Sequence, residues 1–122
     1  MKYLLITHME PGARDGLAEH ERDEISRGHR ALQETVREAG EMIATNFLAD
    51  ASQGSVVRVK DGTATAAPGP LPDVAVHAAG YYLVDCESRE RAEELAAMIP
   101  DARFEGFAVE VRPVMVSAGT EM

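Results

Sequence analysis

The chain has 122 residues, 45% of them hydrophobic, which is typical of a single globular domain. Its 12 basic and 21 acidic residues give a formal net charge of −9, which argues against binding to nucleic acids or anionic membranes. No apolar run approaches the roughly 20 residues that cross a bilayer, the start does not resemble a signal peptide, and a single cysteine, Cys86, indicates a reducing, cytoplasmic setting.

The first third of the chain predicts a strand followed by a long helix. Residues 3–7 are a short apolar run closed by Glu10-Pro11-Gly12, the pattern of a buried strand that ends in a turn. Residues 14–39 have helical spacing, weakened locally by Gly28, and Gly40 stands where helices commonly end. The apolar stripe of this helix consists of Ile25, Leu32, Val36 and Ala39.

The middle of the chain predicts a strand and a separate β-hairpin. Residues 42–48 have the composition of a strand. Two alternating runs, 55–60 and 63–66, flank Asp61-Gly62, a dipeptide that favours a tight hairpin turn. The stretch 68–72 is expected to be a loop, because its three prolines lack the N–H groups that a strand ladder needs.

The last third predicts a strand, a second helix and a final strand. Residues 80–86 and 107–112 have strand patterns, and Ser88 can cap the helix between them, which Pro100 ends. The apolar face of that helix consists of Ala92, Leu95, Ala96 and Ile99. Residues 117–122 have no pattern and are predicted to be a disordered tail.

Without the hairpin, the element order is βαββαβ. This order predicts an α+β, ferredoxin-like domain over residues 1–116 that carries an inserted β-hairpin. Such a sheet has helices on one face only. A second copy of the chain is the simplest cover for the other face, so we expect a homodimer.

Several stretches of the sequence resemble the YCII-related (DGPF) family. They are residues 1–6, the central series 57–62, 69–70 and 80–85, and the closing series 97–100 and 109–115. The resemblance implies a ferredoxin-like protomer, a dimeric α/β-barrel assembly through the open sheet face, and a cleft near that interface. Family members of known activity act on small organic molecules, one type as a dehydrochlorinase of a chlorinated hydroquinone.

The sequence departs from the family pattern in three places. The Asp-Gly-Pro-Phe that gives the family its name is Pro68-Gly69-Pro70-Leu71 here, without the acid and the aromatic ring. The polar run that follows this name-giving motif is replaced here by residues 73–77. Relatives near the type protein carry a helical histidine eleven residues before a glycine, a spacing that His29 reproduces. Their aspartate partner stands just before the proline that ends the second helix, where this chain has Ile99. Asp101 and Asp85 are both candidates to replace it.

His29 is the first candidate catalytic residue. It lies about 40° from Ile25 on a helical wheel drawn at roughly 100° per residue, inside the apolar stripe. An imidazole there is partly desolvated and titrates near neutrality, as a general acid or base requires. The structural alternative is a core histidine that donates one hydrogen bond.

Five further residues are candidates for the same cleft. His8 ends the first strand and is the second catalytic candidate. The candidates for substrate binding are Tyr81, Asp85, His77 and Asp73. Tyr81 and Asp85 share one strand face, whereas the other two lie in or next to the loop after the prolines. The alternative is a solvent-exposed strand end for His8, an exposed loop position for His77, and for Asp85 a strand-end residue that prepares the Ser88 cap.

No motif predicts a metal or a cofactor. The histidines have neither His-x-His nor i, i+4 spacing, and there is no glycine-rich phosphate loop, nucleophile elbow or Cys-x-x-Cys. We therefore expect cofactor-independent acid–base chemistry of the lyase, dehydratase or isomerase type on a small organic metabolite. A non-catalytic metabolite-binding or regulatory dimer is the alternative.

Overall fold

The computed structural model describes residues 1–119, and the predicted tail therefore lies partly outside the described residues, at 120–122. Two short 3-10 turns accompany the regular elements, at Ala51–Gln53 and Pro100–Arg103. The strands and helices are β1 (Lys2–Met9), α1 (Glu19–Glu38), β2 (Met42–Phe47), β3 (Ser55–Lys60), β4 (Thr63–Pro68), β5 (His77–Asp85), α2 (Arg89–Ala97) and β6 (Phe107–Pro113).

Four of the strands form one antiparallel sheet in the order β2-β5-β1-β6. With two helices connecting its strands, this α+β arrangement is compatible with the ferredoxin-like fold. β3 and β4 pair with each other in a separate two-stranded sheet, across the turn at Asp61-Gly62. The hairpin therefore adds no strand to the main sheet.

Several element boundaries differ from the sequence-based predictions. α1 begins at Glu19 rather than at residue 14. At this start of the helix, the Glu21 carboxylate accepts a hydrogen bond from the Ala18 N–H at 2.8 Å. β5 begins at His77, three residues early. β4 extends to Pro68, which was predicted to lie in a loop because proline has no N–H for the strand ladder. Pro68 is the last residue of an edge strand, a position that tolerates the missing N–H. The Ser88 cap is confirmed, since its Oγ accepts from the backbone N–H of the third residue on, at 3.1 Å.

Both helices cover the same face of the four-stranded sheet. Seven residues of the core between them have almost no exposed surface: Leu5, Val36, Tyr82, Val84, Leu95, Ile99 and Ala92. The opposite sheet face carries Leu4, Ile6 and Leu83, which stay half-buried. Across residues 1–119, neither helix has the length and apolarity to span a membrane.

Candidate functional site

A cavity of about 610 Å³ lies between the N-terminal half of α1 and one end of the sheet. Toward the C-terminus of α1, Leu32 and Val36 are buried in the core. On the adjacent side of the helix, Ser26 and Gln33 are polar and line the cavity instead. A space of this volume accommodates a small organic molecule.

The floor of the cavity is shaped by an irregularity in the sheet. The pairing of β1 with β5 shifts register between Thr7 and His8, and such bulges bend a strand locally. Next to the bulge, a Cβ at Gly80 would lie 3.0 Å from the Asn46 carbonyl and 3.2 Å from the Phe47 ring. Glycine therefore allows the Phe47 ring to cross β5 and to meet the His29 imidazole edge-on, with ring centroids 4.9 Å apart.

His29 is held between two partners from other elements. Its Nε2 lies 2.6 Å from Asp101 Oδ1, and its Nδ1 lies 2.7 Å from the Tyr82 hydroxyl. The side chains of His29 and Asp101 are 12% and 14% exposed, and both line the cavity. The imidazole is thus partly desolvated, as its position on the helix predicts, and both of its nitrogens are paired.

The Tyr82 hydroxyl decides how the imidazole holds its proton. Burial raises the pKa of Tyr82 above its ordinary value of 10.0, so the hydroxyl is protonated at neutral pH. In neutral His29, the Nε2–H donates to the Asp101 carboxylate and Nδ1 accepts from Tyr82. When the imidazole gains a proton, the hydroxyl can rotate and accept from Nδ1–H. Both contacts therefore persist in either protonation state.

The second oxygen of Asp101 is the open atom of this pair. Among residues 1–119, Asp101 Oδ1 bonds to His29 and Oδ2 has no hydrogen-bond partner. In that range, every side-chain nitrogen or oxygen that is shielded from solvent on a buried or half-buried residue has a hydrogen-bond partner. Because Oδ2 has no partner, it is not shielded from solvent. A ligand in the cavity can reach it without breaking a hydrogen bond of the protein.

A glycine in α1 brings Asp101 to His29. A Cβ on Gly28 would lie 2.8 Å from both Cβ and Cγ of Pro100, closer than side chains approach. The missing side chain lets the 3-10 turn Pro100–Arg103 pack directly against the helix, one residue from each member of the pair. Ile99, at the position of the family's aspartate, is fully buried in the core.

Comparison with known proteins agrees with the resemblance noted in the sequence. A family model described as the YCII-related domain matches residues 1–116. The chain belongs to the YCII-related family. It is also 24% identical, over 114 residues, to an uncharacterized protein of Rhizobium meliloti (strain 1021). The aligned region covers 93% of this chain and 92% of that protein. The cavity and the His29–Asp101 pair lie inside the matched YCII-related domain.

Two of the predicted site residues lie on the other side of this YCII-related sheet. His8 Nε2 is 2.8 Å from Glu110 Oε1, and the contact with His8, followed by that with Arg112, lowers the pKa of Glu110. The Tyr81 hydroxyl accepts a hydrogen bond from the Asn46 amide at 2.7 Å. Within one protomer, the sheet therefore separates these side chains from His29.

The remaining sequence-based candidates also lie apart from the cavity. Asp85 Oδ1 accepts from the N-terminal amine at 3.0 Å, so Asp101 and not Asp85 is beside His29. His77 opens β5 opposite Met9, and Asp73 lies in an exposed loop. Neither is among the residues that line the cavity. Within residues 1–119, no group of three or more His, Cys, Asp or Glu side chains is placed to hold a metal ion.

Sequence reasoning missed most of the cavity wall of this YCII-related domain. Arg22 and Ser26 stand seven and three residues before His29, and Gln33 stands four residues after it. These spacings place all three on the same side of the helix as His29. The helical wheel could have identified them. Tyr82 and Phe47 had no such signal, because strand alternation alone does not say which sheet face the helices cover.

Proposed function

We propose that this YCII-related domain is a cofactor-independent cytoplasmic enzyme that moves a proton on a small organic molecule. His29 and Asp101 are its acid–base pair. The observation that carries this proposal is the open Oδ2 of a carboxylate that is hydrogen-bonded to an imidazole at a cavity wall. The reaction class is a lyase, dehydratase or isomerase step, in which one group takes a proton and returns it.

The pair's environment supports this chemistry. Asp101 Oδ2 takes a proton from a substrate C–H or O–H bond, while the His29 Nε2–H keeps its hydrogen bond to Oδ1. The proton then returns to another atom of the substrate or to its leaving group, so the enzyme ends in its starting state. Low exposure of both side chains strengthens these electrostatic interactions relative to water.

Deuterium exchange in D₂O tests the proposal on many candidate substrates at once. Pools of small metabolites are incubated with the protein and followed by NMR. We expect the wild type to deuterate or convert at least one compound. The rate with His29→Leu should be lower by a factor of about 100 or more. His20→Leu, on the same helix but exposed and away from the cavity, is the control and should match the wild type. Equal rates in His29→Leu and wild type would exclude the pair as the catalyst.

A metabolite-binding or regulatory module is the second candidate. The observation that favours it is that both nitrogens of His29 are already paired within the protein. In that case His29 is structural, and His29→Leu removes the 2.7 Å hydrogen bond of the buried Tyr82 hydroxyl, at a cost of roughly 1–3 kcal/mol. A metabolite that raises the melting temperature but undergoes neither exchange nor conversion would support this candidate.

We also propose that the domain works as a homodimer. The family resemblance implies dimerisation, and the β3–β4 hairpin supports it, because two-stranded hairpins are marginally stable by themselves in water. Val57 and Val59 point to one face of this hairpin and are 63% and 68% exposed. A second copy of the chain would cover these valines and the half-buried aliphatic residues of the open sheet face.

Val59→Lys should shift the dimer toward monomer, because it places a charge in the apolar contact. Light scattering after size-exclusion chromatography, over a range of protein concentrations, should give twice the 13.2 kDa chain mass for the wild type and a lower mass for the variant. Val74→Lys, at a 41% exposed loop valine, is the control. A wild type that runs as a monomer at all concentrations would contradict the dimer.

A further inference from the structure

The rim of the cavity is positively charged, although the whole chain is strongly negative. Arg14, Arg22 and Arg30 line the cavity together with two carboxylates, Asp15 and Asp101. These three arginines and two aspartates sum to one positive charge, while the chain as a whole carries −9. A quarter of the 12 basic residues thus surround one small space.

Two guanidinium groups at the rim, those of Arg22 and Arg30, have N–H groups available to bind a ligand. Among residues 1–119, Arg30 has no hydrogen bond or ion pair with the protein. Arg22 Nη2 donates to the Arg14 carbonyl at 3.1 Å, which ties the loop before α1 to the helix and leaves other N–H groups of Arg22 available. The planar guanidinium group is suited to bind the two oxygens of a carboxylate.

One part of the wall is made of large apolar and aromatic side chains. It consists of Leu17, Ile25, Phe47, Leu48 and Phe107. Phe47 and Leu48 are 58% and 44% exposed, so both present apolar surface that a ligand in the cavity can cover. The cavity therefore combines a cationic rim, an apolar wall and the His29–Asp101 pair.

We propose that the ligand of this cavity is a small organic carboxylate with an apolar, ring-sized skeleton. Its carboxylate binds the rim arginines, and its skeleton lies against Phe47 and Phe107, close to Asp101 Oδ2. The single net positive charge of the lining suits a monoanion better than a phosphate dianion. This assignment rests on the proposed function for the site of reaction, whereas the binding itself does not require catalysis.

Calorimetric titration of the full chain with three matched probes tests the ligand class. The probes are benzoate, the neutral benzamide and the dianionic phenyl phosphate. We expect benzoate to bind at least tenfold more tightly than benzamide, and more tightly than phenyl phosphate. Equal affinity for benzoate and benzamide, tighter binding of phenyl phosphate, or no binding of benzoate would each overturn the proposal.

Charge-removing variants locate the site. Arg22→Gln and Arg30→Gln should each weaken benzoate binding roughly threefold to tenfold, because each removes one partly solvated ion pair. Arg27→Gln removes the same charge from the same helix at a position that does not line the cavity, and should leave binding unchanged. Equal weakening by Arg27→Gln would show a general charge effect and overturn the site.

The two proposals at this cavity can fail separately. Benzoate binding that depends on Arg22 and Arg30, together with no exchange or conversion of any metabolite, would refute only the catalytic function. Exchange that depends on His29, together with no preference for benzoate over benzamide, would refute only the carboxylate ligand.

Discussion

Asp101→Asn should lower kcat/KM for the proton transfer by roughly 10²–10⁴-fold, the usual contribution of a positioned acid–base group. An amide has almost the shape of a carboxylate but cannot take a proton. Its carbonyl oxygen can still accept the His29 Nε2–H, so the contact of 2.6 Å and the fold should survive. Rates are measured on the compound identified by deuterium exchange, and folding is checked by circular dichroism.

A neighbouring carboxyl provides the control for Asp101→Asn. Asp23 lies on the exposed side of α1 and does not line the cavity, so Asp23→Asn removes an equal charge without touching the pair. We expect its kcat/KM to match the wild type. If Asp101→Asn kept the wild-type rate while folded, the carboxylate would not be the proton acceptor, and the binding-module candidate would gain support.

Gly28→Ala should disturb both stability and activity through the turn that carries Asp101. The new Cβ would lie 2.8 Å from Pro100, so the helix or the turn must move. Overpacking of this kind costs about 1–3 kcal/mol, whereas alanine gains only about 1 kcal/mol of helix propensity over glycine. We therefore expect a lower free energy of unfolding in urea. Because a catalytic group misplaced by about 1 Å can cost roughly 100-fold in rate, kcat/KM should also fall.

Gly16→Ala is the matched glycine control. A Cβ at Gly16 would meet its nearest neighbour, the Ala13 carbonyl oxygen, at 3.6 Å, an ordinary contact. We expect its free energy of unfolding to stay within about 0.5 kcal/mol of the wild type. A Gly28→Ala variant that is as stable and as active as the wild type would mean that Pro100 yields without moving the carboxylate.

Local patterns predicted the elements better than their ends. Apolar spacing identified both helices, and alternation identified the last strand of the main sheet and both hairpin strands, because these periods follow from backbone geometry. The start of α1 at Glu19 depends on one side chain, Glu21, that reaches back to the Ala18 N–H. The early start of β5 at His77 depends on pairing with the end of β1, more than 60 residues earlier in the chain.

The site was half predictable for a similar reason. The helical wheel placed His29 on the inner side of α1, and the structure agrees. The wheel could not choose between Asp101 and Asp85 as its partner, because both lie far from it along the chain. Alternation put His8 on the same strand face as Leu4 and Ile6, but only packing shows that this face is turned away from the helices.

By itself, the sequence determined the family, the α+β class and the position of His29 on its helix, because these depend on spacings within short segments. The tertiary structure decided what His29 contacts. The close approach of Pro100 to Gly28 brings Asp101 within 2.6 Å of the His29 imidazole, 72 residues away in the chain. The second partner of His29, Tyr82, comes from strand β5 of the sheet. Such contacts depend on how whole elements pack against each other, which no local period encodes.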